Sequence, residues 1–177
     1  MGKCKVFLTG IAVVVLFNSM AHGDLTSFTA DAPHVFTPTG AIILLEVPSY
    51  TPSSVTITAV ADAPFLISLA AVNNTALPWA ACTLVSDLAG VAEFVPGSGQ
   101  STDFQNVTDI DAWTMLFEAP FEVAPGEFVT LEFRMEIPNT GPVTFTQTLT
   151  PVPVPEPATV VLLGLGGLAL VAARKHA

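Results

Sequence analysis

Val129-Thr130-Leu131-Glu132-Phe133-Arg134-Met135-Glu136-Ile137 repeats every two residues. Val, Leu, Phe, Met and Ile hold the odd positions; Thr, Glu, Arg and Glu hold the even ones. Successive side chains of a strand point to opposite faces, so this stretch reads as a strand with one buried and one wet face. Turn sequences bound it: Ala124-Pro125-Gly126-Glu127 upstream and Pro138-Asn139-Thr140-Gly141-Pro142 downstream. Val143 to Leu149 follows as a Thr-rich last strand, and Trp113 to Glu118 precedes as another with large apolar odd positions.

Further out the pattern holds. Ala41 to Val47 reads as a buried strand, with a short helical turn as the alternative, and Val55 to Val60 alternates. Phe65 to Val72, Trp79 to Leu88 and Val91 to Val95 are apolar runs between turn sequences such as Pro96-Gly97-Ser98-Gly99. Asp24 to His34 has no clear period and reads as a leader. Seven to nine short strands, with no long amphipathic helix between them, predict an all-β fold: an antiparallel β-sandwich. Its buried aromatic face is expected to hold Phe65, Trp113, Phe117, Phe133 and Phe145.

The two ends of the chain differ from this middle. Residues 1–23 read as a secretory signal peptide, with Lys3 and Lys5 before the apolar run Val6 to Phe17 and small residues at the cleavage site. At the other end, Pro155-Glu156-Pro157 opens onto an apolar run from Ala158 to Ala173, then Arg174, Lys175 and His176. As a helix that run spans roughly 24 Å, short of the roughly 30 Å hydrocarbon core; Arg174 and Lys175 shorten the reach by snorkelling and mark the inner side. With Lys3 and Lys5 also inside, the middle lies outside the membrane.

Between residues 24 and 157, one arginine meets all fifteen acids, a formal charge of −14. Nucleic acid and anionic lipid surfaces both require Lys and Arg, so this segment is not built for either. It has one cysteine, Cys82, in an apolar stretch, so no internal disulfide staples it. A buried, inert thiol is the plain reading; an intermolecular disulfide or a reactive thiol is the alternative.

The tail resembles the PEP-CTERM sorting signal of Gram-negative bacteria. The resemblance rests on Pro155-Glu156-Pro157, the glycine-containing apolar segment and the basic end, in that order, over Val154 to Ala177. It implies handling by an exosortase, a membrane transpeptidase analogous to sortase. The sandwich is also similar, more loosely and over Val72 to Leu149, to cargo domains of that family. The expected layout is signal peptide 1–23, sandwich 24–150, Pro-rich linker 151–157 and transmembrane sorting helix 158–177. Prolines 151, 153, 155 and 157 favour extended polyproline II, a stand-off of roughly 20 Å from the membrane.

No catalytic constellation is legible. A triad in the mature segment has only His34 to run through, in a loop-like context. One histidine and one cysteine do not make a zinc site without two carboxylates at ligand spacing. Asp103, Asp109 and Asp111 are the oxygen-rich candidates for Ca²⁺, without the spacing of a helix-loop-helix calcium loop. Asn73-Asn74-Thr75 and Asn106-Val107-Thr108 match the N-glycosylation sequon by chance if the chain is bacterial. The expectation is therefore an exported, non-enzymatic surface or matrix protein without a cofactor. Its partners are the Sec translocon, an exosortase, membrane lipid through 158–177 and extracellular polysaccharide. The alternatives are a glycan- or Ca²⁺-binding sandwich, or a simple single-pass anchored protein.

Overall fold

The computed structural model describes residues 25–87, 91–138 and 141–154. The expected signal peptide, the Pro155-Glu156-Pro157 motif, the apolar run 158–177 and its Arg174 and Lys175 lie outside the described residues. In chain order the strands are β1 Leu25–Ala30, β2 His34–Thr37, β3 Gly40–Val47, β4 Ser53–Ala61, β5 Phe65–Asn73, β6 Trp79–Ser86, β7 Glu93–Phe94, β8 Gln100–Ser101, β9 Asn106–Asp111, β10 Thr114–Val123, β11 Phe128–Glu136 and β12 Val143–Pro153. The described residues contain no helix.

These strands form two sheets. The first has the order β1-β4-β12-β6-β10-β9; the second has the order β2-β3-β5-β11-β7, with β8 also on β11. Alternate residues of both sheets are buried and join one hydrophobic cluster, the arrangement of a sandwich. Val129, Leu131, Phe133 and Met135 are fully buried while Thr130, Glu132 and Arg134 are not, as the two-residue period requires. The turn before β11 closes as its sequence predicts. Gly126 has φ +84°, Glu127 N–H donates to the Ala124 carbonyl, and the Glu127 carboxylate accepts from Ala124 N–H at 3.1 Å.

The structure corrects the expected fold in four respects. There are twelve strands, not seven to nine, among the described residues. The additions include β2 and β8, of four and two residues, which are too short to show a period. The sheets are not wholly antiparallel, because β3 and β5 pair in parallel. The chain leaves β3, crosses to the first sheet as β4, and returns as β5. That close pairing holds Gly40 against Leu66, where a Cβ would lie 2.5 Å from the Leu66 carbonyl oxygen. The supposed leader contains β1, whose Leu25 and Phe28 are buried against β4. Finally, Trp113 is half-buried in the turn before β10, not on the buried face of the sandwich. Trp79 is the tryptophan that fills the core.

Among the described residues, one buried polar side chain has an unpaired atom. Gln147 on β12 is 1% exposed; its Nε2 donates only to the Met135 sulfur at 3.5 Å, and its Oε1 has no partner among the described residues. A buried unpaired polar atom costs about 1–3 kcal/mol. Gln147→Met is expected to raise the melting temperature by about 3–10 °C, measured by circular dichroism; an unchanged or lower value contradicts this account of the side chain.

Candidate functional site

Strand β12 leads out of the sandwich toward the tail. It lies inside the first sheet, opposite β4 over Val143–Leu149 and opposite β6 over Gln147–Pro153. Past Leu149 its only sheet neighbour among the described residues is β6, because β4 begins at Ser53 and Leu149 is paired there. One further bond follows the strand: Val154 N–H donates to the Pro78 carbonyl at 3.0 Å.

The sequence reading placed a free linker over 151–157, and here the structure differs. Pro151 sits opposite Cys82, Val152 opposite Ala81 and Pro153 opposite Trp79. Backbone donors alternate along a strand, so Val152 and Thr150 face β6 on the same side as Val154. The donorless nitrogens of Pro151 and Pro153 then face the side that β4 does not reach, and no ladder bond is lost. Alternate prolines are as compatible with this half-open strand as with a linker. From Val154 to Ala158 is four Cα steps, a reach of at most about 14 Å, short of the expected stand-off.

Pro78, the last anchor, is held by a polar knot. Asn73 ends β5 and is fully buried; its Nδ2 donates to the Val123 carbonyl at 2.8 Å and to the Leu77 carbonyl at 3.1 Å. Its Oδ1 accepts Thr75 N–H at 2.9 Å, an Asx turn, and the Thr75 hydroxyl as well. Leu77 N–H donates to Tyr50 Oη at 2.7 Å, and Trp79 Nε1 donates to Thr75 Oγ1 at 3.2 Å. The loop from Asn74 to Pro78 is thereby tied to the core tryptophan and to Tyr50. Asn73→Ala leaves two carbonyls without that donor and Thr75 N–H without its acceptor. The expected loss is about 3 kcal/mol, a fall in melting temperature on the order of 10 °C. A melting curve that matches the unmodified protein contradicts the knot.

This cluster escaped sequence reasoning. Its one signal, Asn73-Asn74-Thr75, also matches a glycosylation sequon, and the Asx-turn reading was missed. In the folded state the Asn73 amide is enclosed and bonded, whereas Asn106 of the second sequon is exposed at the start of β9.

The calcium candidates are not brought together. Asp103 accepts the hydroxyl of its neighbour Thr102, Asp109 accepts Gly97 N–H at 2.6 Å, and Asp111 accepts Trp113 N–H at 3.0 Å. Each carboxylate has a separate partner. Among the described residues no three His, Cys, Asp or Glu side chains are grouped to hold a metal ion. His34 is half-buried, with Nδ1 2.9 Å from the Ala32 carbonyl oxygen and its ring edge-on to Phe28. Cys82 is fully buried and free, and burial pushes its thiol pKa far up, which keeps it protonated. No helix among the described residues is long and apolar enough to cross a membrane.

A family model described as the PEP-CTERM protein-sorting motif matches residues 153–175. No curated protein matches the chain, and no solved structure does. The match begins on Pro153, the last ladder residue of β12, and runs through Pro155-Glu156-Pro157 and the apolar segment to Lys175. The chain therefore carries a PEP-CTERM protein-sorting motif at its C-terminal end, continuous with the last strand of its sandwich.

Proposed function

We propose that this protein is exported, non-enzymatic cargo. Its sandwich travels through the Sec translocon, is held by residues 158–177 in the inner membrane, and is cut near Pro155-Glu156-Pro157 by an exosortase for display at the cell surface or in extracellular polysaccharide. The observation that carries this reading is the sorting motif over 153–175. The acidity of the mature segment supports it: a formal charge of −14 suits a solvated extracellular surface. The position of Cys82 also supports a cargo role, since the thiol is inside the core. A pulse-chase in exporting cells tests the reading: the full-length chain should convert to a form shorter by the tail and leave the membrane fraction. A chain that stays full length and membrane-bound throughout the chase contradicts it.

A further inference from the structure

We propose that Thr150–Val154 is a releasable strand end, and that the processing enzyme takes the sorting motif only after these five residues have left β6. The proposal rests on the exosortase reading above. The motif's first two residues are occupied by the fold: Pro153 sits opposite Trp79, and Val154 N–H is bonded to Pro78. An enzyme that holds an extended peptide in its groove bonds to that peptide's backbone and competes with such pairing. The room is also small. With Val154 in place, at most about 14 Å of chain separates the sandwich from Ala158, little more than the width of one helix, about 10–12 Å. Release back to Leu149 extends that reach to about 30 Å.

The strand is built to open there and no further. Past Leu149 it has, among the described residues, a neighbour on one side only. Of Thr150–Val154, only Pro151 is buried, whereas Leu149, Gln147 and Phe145 behind it are enclosed by the core. Detachment therefore strips little buried surface until Leu149, where the cost rises steeply. Val152 is exposed and lies directly opposite Ala81, which gives a place to lock the end shut.

The test is a cross-strand disulfide in the full-length chain, Ala81→Cys with Val152→Cys. Directly opposed residues have the Cα separation that a disulfide needs. Processing is followed by pulse-chase, with disulfide formation checked by thiol labelling. The stapled chain should be processed at least about tenfold more slowly, and dithiothreitol should restore the rate. A flexible Gly-Ser spacer of about six residues, roughly 20 Å, placed between position 152 and Pro153 frees the whole motif 153–175 and should restore processing with the staple still closed. A stapled chain processed at the unmodified rate overturns the proposal, and so does a slow stapled chain that the spacer leaves slow. In both cases the unmodified chain is still shortened, and the sorting reading stands. If the unmodified chain is never shortened, the sorting reading fails and the strand-release proposal fails with it.

Discussion

A chain that stops at Pro142 is expected to show no cooperative unfolding transition. It lacks β12, which lies between β4 and β6 and is bonded to both. Phe145 and Leu149 leave the core with it, and deletion of a single buried Phe or Leu side chain alone costs about 2–5 kcal/mol. The whole stability of a domain is about 5–15 kcal/mol. The loss also leaves the facing donors and acceptors of β4 and β6 without their ladder partner. Near-ultraviolet circular dichroism of the buried Trp79 should be flat on heating for this chain and sigmoidal for one that ends at Val154. A sigmoidal melt of the chain ending at Pro142 contradicts the central place of β12. The sandwich is therefore complete only once the residues that adjoin the sorting motif are in place.

What the sequence reveals of this fold follows from where alternation survives. Strand β11 was legible residue by residue because its inner face is Val129, Leu131, Phe133 and Met135 and its outer face carries Thr130, Glu132 and Arg134. The parallel pairing of β3 with β5 was not legible. An apolar run such as Ala41 to Val47 says that a strand is buried, and nothing in it says which way its neighbour points. Edge strands were missed for the opposite reason. Val35 and Phe36 in β2 are exposed large apolar residues, and β9 has no buried residue at all. Prolines 151 and 153 read as a linker because a missing donor argues against a strand, except where the facing position is already open. The motif itself was fully legible, since a sorting signal is read as sequence; its junction with the fold needed the ladder between β12 and β6.

Glu156→Ala is expected to slow processing while leaving the fold untouched. Glu156 is the only charged residue between Arg134-Met135-Glu136 and Arg174, so it is the one ionic handle of the motif ahead of the apolar run. Charge-assisted hydrogen bonds to a carboxylate contribute about 1.5–3 kcal/mol, which is about a tenfold to hundredfold effect on a rate. Glu156→Gln, which keeps the shape and removes the charge, should fall on the slow side as well. The sandwich's ladder ends at Pro153 and its last bond among the described residues is at Val154, so neither variant should shift the melting temperature. Asn73→Ala makes the reverse pattern: a lower melting temperature with an intact motif. A Glu156→Ala chain processed at the unmodified rate contradicts the role assigned to that carboxylate.

The C-terminus of the mature protein is the most direct test of the whole account. Intact-mass and terminal-peptide mass spectrometry of protein from exporting cells, with membrane, envelope and medium fractions kept separate, reads it in one experiment. The account predicts a C-terminus near Pro157 with residues 158–177 gone, in the envelope or medium, together with any added mass at the new end. A membrane fraction holding the chain intact through Ala177, with no shortened form elsewhere, would show a plain membrane anchor and contradict processing at the motif.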